Sequence, residues 1–304
     1  MLLTIFTPTY NRAHLLPRLY ESIKAQTIHD FEWIIIDDGS TDGTEDIVKE
    51  WLQTEVRENI LHPIAGIKGG IRYIKQPNGG KHRAINRGVQ EARGELFYIV
   101  DSDDRLPANA IERILYYYDQ IKTDNGFAGV CGLKCYFDGT KVGGKQDFEP
   151  FDCSLLDIRQ KYHFKGDMAE VVRTEVMQQY PFPEFEGERF CPEALVWNRI
   201  AQNYVMRYFH ENVYECEYVE GGLTDRIVRI RMDSPRASML TYKELAYYKV
   251  PLKTKIRSAI NYWRFASCSN LPWLHKVKGM AKWLWFWPIG ILMHIHDNKT
   301  QKNK

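Results

Sequence analysis

The chain has 304 residues, enough to bury a sizeable core as one large domain or one domain with an appendage. Its 41 Lys and Arg stand against 39 Asp and Glu, and the resulting net charge of +2 excludes a global pull toward nucleic acid. Six scattered cysteines with no Cys-x-x-Cys pair exclude a disulfide framework and fit reduced thiols in the cytosol.

The chain enters directly into Leu2-Leu3-Thr4-Ile5-Phe6 with no basic leader, so no signal peptide is expected. This apolar run predicts a first strand, closed by Thr7-Pro8-Thr9-Tyr10-Asn11-Arg12 because proline cannot continue a central strand. Asn11 is the expected N-cap of an amphipathic helix carrying Leu15, Leu16, Leu19 and Ile23. Phe31 to Ile36 predicts the second strand, ending in Asp37-Asp38-Gly39-Ser40-Thr41-Asp42. Asp42 with Glu45 three residues on predicts a capping box for a helix carrying Ile47, Val48 and Trp51. Ile71 to Ile74 predicts a third strand, followed by Gln76-Pro77-Asn78-Gly79-Gly80-Lys81 and a helix with Ala84, Ile85 and Val89 on one face. Strands alternating with helices predict an α/β fold with a mostly parallel sheet.

The fourth strand, Phe97 to Val100, runs into Asp101-Ser102-Asp103-Asp104. A strand interior cannot hold three ionised carboxylates, so the strand ends at Val100 and delivers them to its C-terminal edge, where open α/β sheets bind ligands. Clustered hard oxygens without thiolate or imidazole suit Mg²⁺ or Mn²⁺, and carboxylates this close need a cation or donors to stay charged. Each earlier strand also ends in polar residues: Tyr10 and Arg12, then Asp37 and Asp38, then Asn78 and Lys81. Singly these are ordinary turns and caps; together they predict a site on one sheet edge.

Thr7 to Arg12, Ile36 to Asp42, Asn78-Gly79-Gly80-Lys81 with Ala84 and Asn86-Arg87-Gly88, and Val100 to Asp104 resemble, in order and spacing, the family 2 glycosyltransferases of the GT-A fold. The resemblance is strong over about the first 110 residues and continues more weakly to about residue 225. It implies a Rossmann-like GT-A sheet flanked by helices, a nucleotide-sugar donor that is usually UDP-linked, a divalent Mn or Mg ion, and transfer to an acceptor hydroxyl with inversion. It places Pro8, Tyr10 and Asp38 at the nucleotide base, Lys81 near the diphosphate, Asp101 near ribose and sugar, and Asp103 on the metal. Asp104 shares metal or donor contacts, and Thr9, Arg12, Asn78, Gly79 and Ser102 complete the donor side. The division of work between Asp103 and Asp104 is left open.

Transfer to an alcohol needs a separate carboxylate as base. Glu193, after Pro192 at the start of a helix with Leu195, Trp197 and Ile200, is the first candidate. The family has a Glu-Asp pair before a Trp-Leu pair; here Pro192-Glu193 stands in that place, a departure that makes the base a glutamate. Asp167 in Gly166-Asp167 and Glu188 are further acceptor-side candidates. Arg226 closes a Gly-rich segment, 220–226, that reads either as a plain exit or as a cover for the diphosphate. Lys134 to Phe137 is expected to continue the sheet, and Val205 to Phe209 with Val213 to Tyr218 to form a late strand pair.

From residue 250 to 296 seven basic residues and five tryptophans occur with no acid. The apolar run 283–293 is shorter than the roughly 20 residues that span a bilayer. Such a stretch fits a helix lying on an anionic membrane face, or a tail packed on the catalytic domain or on another subunit. His294 and His296 are expected to be interfacial or solvated.

The expected organisation is a catalytic domain over 1–230 and a helical, amphipathic, basic and aromatic tail over 231–304, peripheral on the inner face of the plasma membrane. The expected partners are a nucleotide-sugar donor and a glycan or lipid-linked acceptor, with no nucleic acid. Rival readings are a nucleotidyltransferase of related fold, which would need a Gly-rich signature with Arg and Lys after the first strand, and a non-catalytic nucleotide-sugar-binding protein.

Overall fold

The computed structural model describes residues 2–57, 67–144, 147–217 and 223–302. The chain divides into two compact units, Met1–Pro181 with Ile200–Glu217, and Phe182–Arg199 with Tyr218–Lys304.

The first unit is built on β1 (Leu3–Thr9), α1 (Leu16–Lys24), β2 (Phe31–Asp37), α2 (Thr44–Arg57), β3 (Ile71–Lys75), α3 (Lys81–Glu91), β4 (Leu96–Ile99) and α4 (Ala110–Asp119). There follow β5 (Phe127–Tyr136), β6 (Phe151–Cys153), α5 (Asp157–Gln160), β7 (Met168–Arg173) and α6 (Thr174–Gln179), and, after α7 (Glu193–Ile200), β8 (Val205–Cys216). One eight-stranded sheet has the order β3-β2-β1-β4-β7-β5-β8-β6. β1 to β4 pair in parallel, as do β5 and β8, while β6 and β7 run antiparallel to their neighbours. The fold is the mixed α/β arrangement that the alternation of strands and helices predicts. β1 and β2 are buried along their whole length, which is why they read as near-continuous apolar runs. Their core continues into Leu16, Leu19 and Ile23 of α1 and Ile111, Ile114 and Tyr118 of α4.

Several local expectations are corrected. β1 passes through Pro8 to Thr9. Its pairing with β4 stops at Phe6 and Ile99, so beyond Phe6 the strand is paired only with β2, and a residue without an N–H is tolerated there. Asn11 does not cap α1; it has φ 52°, and its Oδ1 accepts the Thr41 N–H at 2.8 Å. Asp42 accepts the Thr44 N–H at 3.0 Å, but Glu45 bonds Lys49 and Lys75, so the box is not closed. The late strand pair is one strand, β8. Between Tyr208 opposite Cys131 and Asn212 opposite Leu133 it carries extra residues, a bulge whose polar His210-Glu211-Asn212 reads as a turn in sequence. Tyr218 lies outside the described residues.

The second unit holds most of α7 and then α8 (Leu223–Asp233), α9 (Pro235–Tyr247), α10 (Leu252–Ala266), α11 (Trp273–Val277), a 3-10 turn (Ala281–Phe286) and α12 (Trp287–Lys302). It has its own core of Met232, Met239, Tyr262, Trp263, Phe265 and Trp283. The Trp263 indole N–H donates to the Trp283 carbonyl at 3.0 Å, and Asp297 accepts a bidentate bond from Arg264. His294 is half-buried: it lies 3.4 Å from Cys268 Sγ and 2.9 Å from the Asn298 amide, and burial pushes its pKa down. His296 is exposed.

Candidate active site

Parallel pairing brings the C-terminal ends of β1, β2, β3 and β4 to one edge. β7 is antiparallel to β4, so its start, with Asp167, lies at that edge too; the ends of β5 and β8 complete it.

The loops after β1 and β2 are stapled together. Asn11 N–H donates to Ser40 Oγ at 2.8 Å, Arg12 N–H to Thr44 Oγ1 at 3.2 Å, and Ala13 N–H to Asp42 at 3.1 Å. Tyr10 stands out from this staple, 48% exposed. Asp38 is buried, and its carboxylate accepts from Gln76 Nε2 at 2.8 Å and from the N–H groups of Gly79 at 2.9 Å and Gly80 at 2.6 Å. That clasp requires Gly39, at φ +85°, where a Cβ would come within 2.8 Å of the Asn78 nitrogen. Thr9 is buried beside it, its hydroxyl without a partner among the described residues.

Lys81 opens α3 and places Nζ 2.6 Å from Asp101 Oδ1. Burial pushes the Asp101 pKa up, but Lys81, Lys134 and Arg12 outweigh it and hold the group below the usual carboxylate value. The Tyr214 hydroxyl accepts the Asp101 N–H at 3.0 Å and donates to Asp104 Oδ2 at 2.6 Å. Burial first, then the negative charge of Asp101, push Asp104 up to about 7. The chain then pairs with β8 through a two-way backbone bridge between Arg105 and Glu215. Asp103 is half-buried; its carbonyl accepts from Arg18, whose guanidinium lies 4.4 Å over the Phe137 ring. Ser102 is buried between the aspartates.

The three carboxylates thus differ. Asp101 is tied to a cation and Asp104 to a phenol, while no hydrogen bond engages the Asp103 carboxylate among the described residues. Hard oxygen donors fit a divalent Mg or Mn ion. Among the described residues no three His, Cys, Asp or Glu side chains converge to hold one alone, so an ion here would need further oxygen ligands from outside these side chains.

The sheet edge therefore gathers Pro8, Thr9, Tyr10, Arg12, Asp38, Asn78, Gly79, Lys81 and Asp101 to Asp104, with Asp167 exposed at the start of β7. Glu193, Glu188 and Arg226 belong to the second unit. Glu193 is the first residue of α7. Glu188 is buried and accepts the N–H groups of Arg236 at 2.7 Å and Ala237 at 2.9 Å, capping α9. Arg226 is exposed in the early turns of α8, and Glu220, Gly221 and Gly222 lie outside the described residues. Tyr214, Lys134 and Arg18 are additions that sequence reasoning missed. Each is ordinary in its own stretch, and only the pairing of β8 and β5 into this sheet reveals the first two.

The chain matches the family model described as glycosyl transferase family 2 over residues 4–164. It is 33% identical over 227 residues to a glycosyltransferase named GlyG from Streptococcus pneumoniae, covering 70% of this chain and 69% of that one. It is 24% identical over 274 residues to a GalNAc(5)-diNAcBac-PP-undecaprenol beta-1,3-glucosyltransferase from Campylobacter jejuni, covering 87% and 81%. Among solved structures, residues 1–349 of S. aureus TarS in complex with UDP-GlcNAc superpose with a TM-score of 0.59 at 19% identity, covering 88% of this chain and 72% of that one.

Proposed function

Since this chain belongs to glycosyl transferase family 2 and is a glycosyltransferase, we propose that it moves a sugar from a UDP-sugar to an acceptor hydroxyl with inversion at the anomeric carbon. One observation carries the reading: Tyr10, Asp38, Lys81 and Asp101 to Asp104 meet at one edge of one sheet. Tyr10 offers a ring face to the base, and Asp38, whose carboxylate already accepts from Gln76, Gly79 and Gly80, keeps one acceptor position, on Oδ2, for the base N–H. Lys81 steadies the diphosphate. Asp103, with Asp104, would hold Mg or Mn, which when bound neutralises charge on the departing diphosphate.

Glu193 serves as general base, a role worth about 10²–10⁴-fold in rate. The acceptor oxygen attacks the anomeric carbon as the bond to the diphosphate breaks; the leaving group takes the electron pair and the carboxylate takes the hydroxyl proton. A single displacement of this kind inverts the centre. Asp167 lies on the acceptor side. In this reading residues 1–230 form the catalytic domain and 231–304 the tail. The acceptor is a glycan or a lipid-linked saccharide of bacterial surface polysaccharide or glycolipid assembly, as the undecaprenol in the name of the Campylobacter relative suggests. The enzyme would then act as a peripheral protein on the inner membrane face.

The test is to screen a panel of nucleotide sugars for thermal stabilisation in the presence of Mn²⁺, then follow UDP release and product configuration with the donor that stabilises. Inverted product is expected, lost in Asp103→Asn and slowed about 10²-fold or more in Glu193→Gln with UDP affinity kept. Near-normal turnover of Asp103→Asn in EDTA would overturn the metal role. A fall in UDP affinity matching the rate loss would remove Glu193 as base.

A further inference from the structure

The second unit uses the two sides of α12 differently. One side is pressed on α10: a Cβ at Gly290 would lie 2.5 Å from the Trp263 side chain and 2.8 Å from the Arg264 nitrogen, and Asp297, seven residues on, is bonded to Arg264. The other side carries Ile289, 45% exposed, Leu292 at 66% and Ile295 at 46%, and Trp285, 89% exposed, stands just ahead of it in the 3-10 turn. On α12 the spacings of three and three follow the helical period, so Ile289, Leu292 and Ile295 form one outward apolar stripe, which Trp285 precedes. Trp263 and Trp283, by contrast, are core residues, which leaves Trp273, Trp285 and Trp287 as the exposed tryptophans of the long aromatic stretch.

We infer that this stripe docks on an anionic lipid bilayer, with α12 lying in the headgroup layer. Charge selects the occupant. The exposed Lys278 and Lys282 precede the stripe and the exposed Lys299 follows it on α12, and of the seven basic residues in 250–296 only Arg264 is paired with an acid among the described residues, Asp297. A second copy would set two cationic surfaces face to face, whereas anionic headgroups complement them while the apolar residues enter the acyl boundary. No helix among the described residues is long and apolar enough to cross a membrane, so α12 lies on the surface. The docking surface does not depend on the sugar-transfer reading, because vesicle binding is measured without donor or acceptor.

The experiment is co-sedimentation of the full chain with vesicles of phosphatidylglycerol and phosphatidylcholine, against phosphatidylcholine alone, at low and high salt. Binding to the anionic vesicles that weakens with salt is expected. The pair Trp285→Ser and Leu292→Ser should lower affinity at least tenfold. The charge reversals Lys278→Glu and Lys282→Glu, which leave the core untouched, should each lower it about fivefold or more. No binding to anionic vesicles at low salt, or equal binding by wild type and both sets of variants, overturns the inference. So does a dimer in sedimentation equilibrium that Trp285→Ser dissolves, which would assign the stripe to self-association.

Discussion

At Asp104, burial and the charges of Asp101 and Asp103 oppose ionisation, while the Tyr214 hydroxyl and Lys134 favour it; opposition wins, and the group titrates at about 7. In the metal-free protein the folded state therefore keeps a proton that the unfolded chain releases near its ordinary value of 3.8. Between these values folding is linked to proton uptake, so this group's contribution to stability falls as pH rises through the window and stays lost above it. Asp104→Asn keeps an acceptor for Tyr214 and removes the charge. Its Tm should exceed wild type by several degrees at pH 8 without metal and match it near pH 4, which a pair of melting curves checks. Such a conflict was half legible in the sequence. The three aspartates after an apolar run announced mutual repulsion, but Tyr214 sits 110 positions away from Asp104, and its role follows only from β8 joining the same sheet.

Among the elements, the first four strands were readable because each is an apolar run closed by polar turn residues, and parallel pairing then stacks their exits. β7 was not readable. It enters antiparallel between β4 and β5, and nothing local in Met168–Arg173 specifies that insertion. Pro8 and the β8 bulge misled for the same reason: the tolerance of a residue depends on which neighbour it must pair with. Glu188 shows the same limit for helices. α9 begins after Ser234, whose side chain makes no cap, and its first amides are satisfied instead by a carboxylate 48 and 49 positions away. Glu188→Ala should therefore destabilise the protein by about 2 kcal/mol, the upper range for losing a cap. A lowered denaturation midpoint with unchanged UDP affinity would mark Glu188 as a structural residue, and loss of UDP binding in a variant that melts normally would contradict it.

For the molecule as a whole, the net charge of +2 hides a partition. The seven cations of residues 250–296, a stretch with no acid of its own, leave the remainder of the chain net negative, so cationic surface is concentrated in one unit and the acidic strand exits in the other. Composition made that partition legible, but it did not say which tryptophans are core and which are surface, because burial is decided by packing between helices distant in sequence. The division into two units, each with a core of its own, also makes a prediction about where a nucleotide is felt. Every donor-side residue proposed above lies in the first unit, on loops held by hydrogen bonds that open when amides exchange. UDP with Mn²⁺ at 100 times its dissociation constant stabilises whatever binds it by about 2.7 kcal/mol. Hydrogen–deuterium exchange should accordingly slow in peptides covering residues 9–13, 37–44, 76–82 and 100–105, while peptides from 252–302 exchange as before. Protection confined to α10 and α12 would place the nucleotide in the other unit and remove the strand-edge site.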